Sequence, residues 1–189
     1  MKSKLFSKIE RSSERLTVRP YRVGDRILLR ASHEARLPKR SKFDEPVPMA
    51  SETDPEKYRE RLQRHRKIAK DGHHFIFGVF DKKTGEYIGQ VDFFTINKQI
   101  KWANLGYAIQ NQFWGRGYAS EASRLALEIA FKDLGFHRIE SAMDVANKPS
   151  ARVAKNAGME FEGKRKKFFS DRKCPDMWVF AANAIDFRR

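Results

Sequence analysis

The chain has 189 residues, 40% of them hydrophobic with 15 Phe and three Trp, which is enough apolar mass for one domain with a real core and argues against wholesale disorder. Its formal charge of +15, from 39 Lys and Arg against 24 Asp and Glu, points to an anionic partner: nucleic acid, a nucleotide cofactor or an acidic protein surface. No run approaches the roughly 18 apolar residues of a membrane span, and the single cysteine, Cys174, excludes an intrachain disulfide or a Cys-rich zinc site.

In chain order, MKSKLFSKIERSSER is basic and lacks the apolar stretch and cleavage site of a signal peptide, so residues 1–13 read as a flexible polar arm. With one cysteine and no span, the expected compartment is the cytoplasm. Residues 15–20 alternate Leu16 and Val18 with polar neighbours, as a short strand does. DRILLRASHEAR reads as a helix with Asp25 as N-cap, and LPKRSKFDEPVPMASETDP, with its prolines and no period, as a long loop. Asp54 and Pro55 supply a cap and a first-turn proline for a mostly charged helix over 55–70, whose few apolar contacts are Tyr58, Leu62 and Ile68.

Strands are expected over 74–80, 87–96 and 100–109, joined by the short turns DKKTGE and NKQ into an antiparallel meander. The segment YASEASRLALEIAFKDLG carries an apolar stripe at Ala119, Ala122, Leu125, Ala126, Ile129 and Ala130, and Gly135 closes the helix. RIESAMDV then forms a strand parallel to its neighbour, by a right-handed crossover. A short helix ending at Gly158 and two antiparallel strands, MEFEGKRKKFF and MWVFAANA, complete the order. The result is one α/β domain over 14–187 with a mixed, mostly antiparallel sheet of about seven strands flanked by helices.

Gln112, Gly115 and Gly117 of QFWGRG lie between a strand and a long helix. Two accounts compete: glycines used for turn geometry alone, or glycines that leave the amides of residues 113–118 open to an anion at a helix start, with Arg116 on the rim. The spacing matches neither G-x-G-x-x-G, because residue 120 is Ser, nor a P-loop.

QFWGRG resembles the Q/R-x-x-G-x-G/A motif of the GNAT family of N-acetyltransferases, and its flanks resemble the branch of ribosomal-protein N-terminal acetyltransferases. In that branch an N-x-x-S segment, here Asn147 and Ser150, opens the next helix. The resemblance covers about residues 14–187, including RLTVRPY and DMWVFAANA. It implies a sheet splayed where acetyl-coenzyme A enters, and a diphosphate cradled by Gln112, Phe113, Trp114, Gly115, Arg116, Gly117, Tyr118 and Ala119. It also implies a pantetheine arm running along the backbone of Tyr107, Ala108 and Ile109, with further contacts at Asn147 and Ser150.

Acetyl transfer to an amine needs a neutral amine, a donor for the oxyanion and a proton or stabilisation for the thiolate, and no metal. Asn147 reads either as a pantetheine contact or as a helix cap, and Ser150 either as a first-turn hydroxyl or as a donor toward the thiolate. Many family members place a carboxylate two residues before the Gly-Tyr pair, where this chain has Asn104. That leaves Glu140 as the candidate base, with Asp92 read as solvated or paired with an arginine. Cys174 lies in a polar turn far from the motif, so direct attack is expected rather than an acetyl-cysteine route. The expected acceptor is a protein or peptide α-amine, plausible on a ribosome. The alternatives are a small amine, or a non-catalytic RNA- or ribosome-binding module using KRKK at 164–167 with Phe168 and Phe169. The sequence leaves open whether the protein is a monomer or a dimer.

Overall fold

Alternating side chains are buried wherever a strand has one face on a core, and the expected strands form on that rule. The computed structural model describes residues 6–44, 54–168 and 176–188. Its strands are β1 (Arg11–Ser12), β2 (Leu16–Arg19), β3 (His74–Asp81), β4 (Tyr87–Asn97), β5 (Trp102–Ile109), β6 (Arg138–Asp144), β7 (Glu160–Arg165) and β8 (Met177–Asn183). They join in one sheet of order β1-β2-β3-β4-β5-β6-β8-β7, antiparallel except between β5 and β6. The helices are α1 (Asp25–Glu34), α2 (Pro55–Lys70), α3 (Tyr118–Glu128) and α4 (Lys148–Asn156). None among the described residues is long and apolar enough to cross a membrane.

The sheet has eight strands rather than about seven, because the supposed arm is partly structural. Phe6 and Ile9 are buried, Phe6 meets the Phe77 ring edge-on at 5.3 Å, and Arg11–Ser12 pairs with β2. Arg11 Nη2 also donates to Asp133 Oδ1 at 2.8 Å. Glu10 pairs with Arg22 at 2.8 Å as well, so residues 6–13 are held by two apolar side chains and two ion pairs. A second correction concerns Asp25, which does not cap its helix. Its carboxylate takes both Arg19 Nη atoms at 2.7 and 2.8 Å and the Arg22 N–H at 2.7 Å. Asp54 does cap α2, accepting from the N–H groups of Glu56 and Lys57.

Apolar cores lie on both faces. On one, Phe77, Val91, Phe93, Leu105 and Ile139 meet the Ala-rich stripe of α3, where small side chains let the helix approach the sheet. The helix continues into a π turn at Ile129–Asp133, and Gly135 follows with φ 71°. On the other face Leu29, Tyr58 and Leu62 from α1 and α2 cover Tyr21, Phe80 and Tyr87. Between β4 and β5 the ladder runs to Gly89↔Ile109, whereas β5 and β6 pair only at Trp102↔Arg138, Ala103↔Ile139 and Asn104↔Glu140. Beyond Asn104 the two parallel strands diverge, and Ser141 Oγ, donating to Leu105 O at 3.2 Å, is the last link. The sheet is therefore split toward the end of β5.

Two histidines tie this packing to pH. Burial, with Arg36 and Arg61 nearby, holds His33 down to about 4, and burial, with Arg61, Arg64 and His74, does the same to His65. Their folded values lie below the ordinary 6.5, so between about pH 6.5 and 4 the unfolded chain binds protons that the folded one refuses. Stability is full above that window and falls as pH drops through it. Urea midpoints measured from pH 7 to 5 are expected to decrease, and the double variant His33→Gln, His65→Gln is expected to show a flatter dependence.

Candidate active site

The split is where the sequence turns from strand to helix. After Ile109 the chain makes a 3-10 turn at Asn111–Phe113, and Trp114 Nε1 donates back to Ile109 O at 2.7 Å. Gly115 and Gly117 then adopt φ of 84° and 79°, the left-handed region that side-chain-bearing residues avoid. Added Cβ atoms would meet nothing closer than 3.6 Å at Gly117 and nothing within 4 Å at Gly115, so backbone conformation, not space, requires glycine here.

Gly117 is the N-cap of α3 and offers no side chain to the helix amides. None of the N–H groups of residues 115–120 donates to a described group, so they remain available at the positive end of the helix. The acidic Glu121 in the first turn is bound by Arg15 and Ser13, which offsets its charge next to this mouth.

A cavity of about 1000 Å³ opens from this turn into the split. Of the residues expected to touch a cofactor, Tyr107, Ala108, Ile109, Phe113, Trp114, Gly115, Gly117, Tyr118, Ala119, Asn147 and Ser150 line it. Gln112 and Arg116 do not. The Gln112 amide donates to Ser32 O at 2.7 Å and ties the glycine turn to α1, while the Arg116 guanidinium lies 5.8 Å from the Phe113 ring centre. The side-chain N–H₂ of Gln112 is thus engaged with α1, while its Oε1 has no described partner.

Asn147 caps α4, its Oδ1 accepting from Ser150 N at 3.2 Å, and it lines the cavity. Ser150 Oγ sits 2.5 Å from Tyr107 Oη, and the tyrosine hydroxyl also donates to Ser150 O at 3.0 Å. Burial pushes the Tyr107 hydroxyl up to about 12, so it stays a neutral donor through the physiological range. Two coupled hydroxyls thus stand on the cavity wall.

Glu140 is corrected. It is 5% exposed and does not line the cavity. Its carboxylate is bound by Arg138 Nε at 3.1 Å, Arg138 Nη2 at 2.9 Å and Arg165 Nη2 at 2.6 Å. Both of its oxygens are taken by guanidinium groups, which tie β6 to β7 across the intervening β8. Asp92 pairs with an imidazole rather than an arginine, its Oδ2 lying 2.7 Å from His74 Nε2. In the basic run 164–167, Lys164 and Arg165 are engaged by Asp176 and Glu140, while Phe169 and Cys174 lie outside the described residues.

The cavity also has walls that sequence reasoning missed. Arg152 and Asn156 come from α4, where the i, i+3/i+4, i+7 spacing from Pro149 was a usable signal. Ser41–Asp44 form another wall, held by Asp44, which is 2% exposed. Burial pushes this carboxyl up, but hydrogen bonds from Arg40 N, Asn111 and Arg36 outweigh that and hold it below its usual range. No local pattern marks Asp44, since Asn111 is 67 positions away.

The free helix amides, the left-handed glycines and a long cleft beside an unpaired strand edge fit a diphosphate with an extended amide-bearing arm. Residues 15–160 match the acetyltransferase (GNAT) domain family, and the chain belongs to it. It is an acetyl-coenzyme A-dependent N-acetyltransferase by that membership. The chain is 31% identical over 125 residues to the [ribosomal protein uS5]-alanine N-acetyltransferase of Escherichia coli, an alignment covering 66% of this chain and 64% of that protein. Its fold is similar to that of the ribosomal-protein-S5-alanine acetyltransferase of Vibrio fischeri, with TM-score 0.71, 24% identity, and 96% and 100% of the two chains covered. It is also similar to a spermidine N-acetyltransferase chimera from Vibrio cholerae and hSSAT, with TM-score 0.69, 24% identity, and 92% and 99% covered.

Acetyl-coenzyme A is expected to bind with micromolar affinity, on the order of −8 kcal/mol. Gly117→Val forces a β-branched residue to φ near 79° and is expected to weaken that affinity at least tenfold. Isothermal titration, with circular dichroism confirming the fold, measures both.

Proposed function

We propose that this enzyme acetylates a primary amine by direct attack, and that its acceptor is the N-terminal α-amine of a ribosomal protein. The observation that carries the donor side is the continuous wall from the open edge of β5 to the free amides of residues 115–120. Bound there, acetyl-coenzyme A supplies the activated acetyl thioester.

The chain's own groups have separable tasks. Helix amides at 115–120 and the α3 field hold the diphosphate, with Arg116 contributing charge from the rim. Backbone groups of Tyr107, Ala108 and Ile109, freed by the divergence from β6, pair with the arm as a neighbouring strand would. Asn147, whose Oδ1 is committed to the α4 cap, has its amide N–H₂ left to donate toward the arm. Ser150, bonded to Tyr107, sits where a hydroxyl can protonate or stabilise a departing thiolate.

For the acceptor, the support is the sequence likeness to the uS5-alanine enzyme together with the charge of +15, which suits a target embedded in polyanionic RNA. An α-amine also needs less help than a lysine side chain, because its unperturbed pKa lies near 8 rather than above 10. The second reading is a small amine, and the fold likeness to a spermidine N-acetyltransferase favours keeping it. A polycationic amine, however, meets long-range repulsion from this surface. For a non-catalytic RNA-binding module on the same fold, support is weaker, since two of the four basic residues of 164–167 are already ion-paired.

An acceptor screen decides between these: N-terminal peptides, intact ribosomes and a panel of small amines, with thiol release from acetyl-coenzyme A as the readout. Turnover is expected with peptides or ribosomes. Turnover confined to small amines would remove the protein-acceptor proposal. Initial-rate patterns are expected to intersect, as a ternary complex requires, and Cys174→Ala is expected to keep nearly all activity. An isolable acetyl-Cys174 that passes its acetyl group to amine would overturn direct attack.

A further inference from the structure

Position 104 is Asn, and Glu140 is committed to two arginines, so the amine's proton has to be received elsewhere. On the face opposite Tyr107, the cross-strand pairs Ile76↔Asp92 and Asp92↔Gly106 set one carboxylate in the row that leads to the split. Asp92 Oδ2 is 2.7 Å from His74 Nε2, and the other oxygen lies over β5. A Cβ added to Gly106 would come within 2.7 Å of Asp92 Oδ1. Gly106 therefore leaves room for this carboxylate. It is two residues past Asn104, the last position at which β5 pairs with β6, and adjoins the cavity-lining Tyr107.

Resting on the acetyltransferase reading above, we propose that Asp92 is the acceptor-side catalytic residue, receiving the incoming ammonium and one of its protons at Oδ1. His74 is the positioning residue behind it. Asp92 and His74 stand outside the cavity lining, one step along the same face from the lining pair Gln90 and Ala108, and side-chain exposures of 22% and 31% leave both reachable by an amine, yet fixed: the Phe94 ring meets the imidazole edge-on at 5.9 Å. The two proton-handling groups then flank one strand. The carboxylate lies on the face of Gly106, and the Tyr107–Ser150 hydroxyls lie on the other.

The balance closes. An ammonium R–NH₃⁺ gives one proton to Asp92. Its nitrogen lone pair forms the N–C bond to the acetyl carbon, and the C–S bond breaks with its electron pair going to sulfur. The nitrogen loses its second proton to solvent as the amide forms, and the thiolate takes one from solvent by way of the Ser150 hydroxyl, so the net proton released is the one that Asp92 received and passes on beside His74. The charged or titratable groups around the pair are His65 on α2, which interacts electrostatically with His74 and has Arg61 and Arg64 beside it, and the Glu140 cluster further along the same face. From β5 come only Asn104, Gly106 and Ala108.

The test uses full-length wild type, Asp92→Asn, His74→Gln and Gly106→Ala, each checked for fold by circular dichroism. Acetyl-coenzyme A affinity is measured by titration, and turnover with an alanine-initiated peptide and with spermidine. Asp92→Asn is expected to lower kcat by 100-fold or more while acetyl-coenzyme A affinity stays within about threefold. Gly106→Ala, which displaces the carboxylate, is expected to lower kcat in the same way. His74→Gln is expected to displace the acidic limb of the kcat–pH profile, which a merely structural residue would leave in place. Near wild-type kcat in Asp92→Asn, or an unmoved profile in His74→Gln, would overturn the proposal. If the wild type uses neither acceptor, histidine-labelled protein saturated with coenzyme A is titrated with each by NMR. A His74 ring shift lost in Asp92→Asn supports the pair, and no shift with either acceptor overturns it. Failure of acetyl-coenzyme A to bind even the wild type would instead remove the acetyltransferase reading, and this inference with it.

Discussion

The short parallel ladder between β5 and β6 is the constraint on which the rest of this molecule depends. A parallel pair needs a crossover helix, and α3 supplies it, packing its small-residue stripe on one face of the sheet. The ladder ends after three registers, at Asn104↔Glu140, while β4 keeps its grip on β5 to Ile109. Backbone polar groups along an unpaired edge need a partner, so the divergence creates a cleft and a demand for hydrogen bonds within it. Tyr107, Ala108, Ile109, Gly115, Gly117, Asn147 and Ser150 all line that opening.

What holds the opening in shape is a set of long-range polar contacts. Asn111 is bonded on its amide to Leu37 O, Pro38 O and Asp44, and through its Oδ1 to Leu37 N. Gln112 reaches Ser32, and Gln110 receives Arg36. The turn that carries the glycines is thereby fastened to α1 and to the 36–44 segment before any ligand arrives. A buried carboxylate such as Asp44 is tolerable only because its partners are complete. Removing one leaves a charge without compensation in the wall of the cleft.

Much of this architecture could be read from the residues. Strand alternation, the Asp54–Pro55 start and the α3 stripe are local signals, and they placed the helices and strands that carry the glycine turn. What escaped depended on distance. Residues 6–13 look like a polar arm because only Phe6 and Ile9 matter there, and two apolar residues make no period. Asp44 gains its meaning from Asn111, far along the chain. The Asp92–His74 contact depends on a hairpin register that shifts at Val79/Phe80, so counting from the turn does not pair them. With Glu140 the signal was present but unused: Arg138, two residues earlier on a strand, shares its face and is positioned to neutralise it.

The divergence of β5 from β6 also divides the sheet mechanically. Strands β1 to β5 form one antiparallel plate, and β6, β8 and β7 form another, with three registers and the α3 crossover between them. A ligand lying along β5 inside the cleft would act as a splint across that seam. Its binding energy would be shared unevenly, falling most on the smaller plate, which has the fewest ties of its own to the rest of the sheet. Occupancy would then slow amide exchange in β6, β8 and β7 more than in the β3–β5 meander. The donor substrate of this enzyme would be, in that sense, a removable part of its framework.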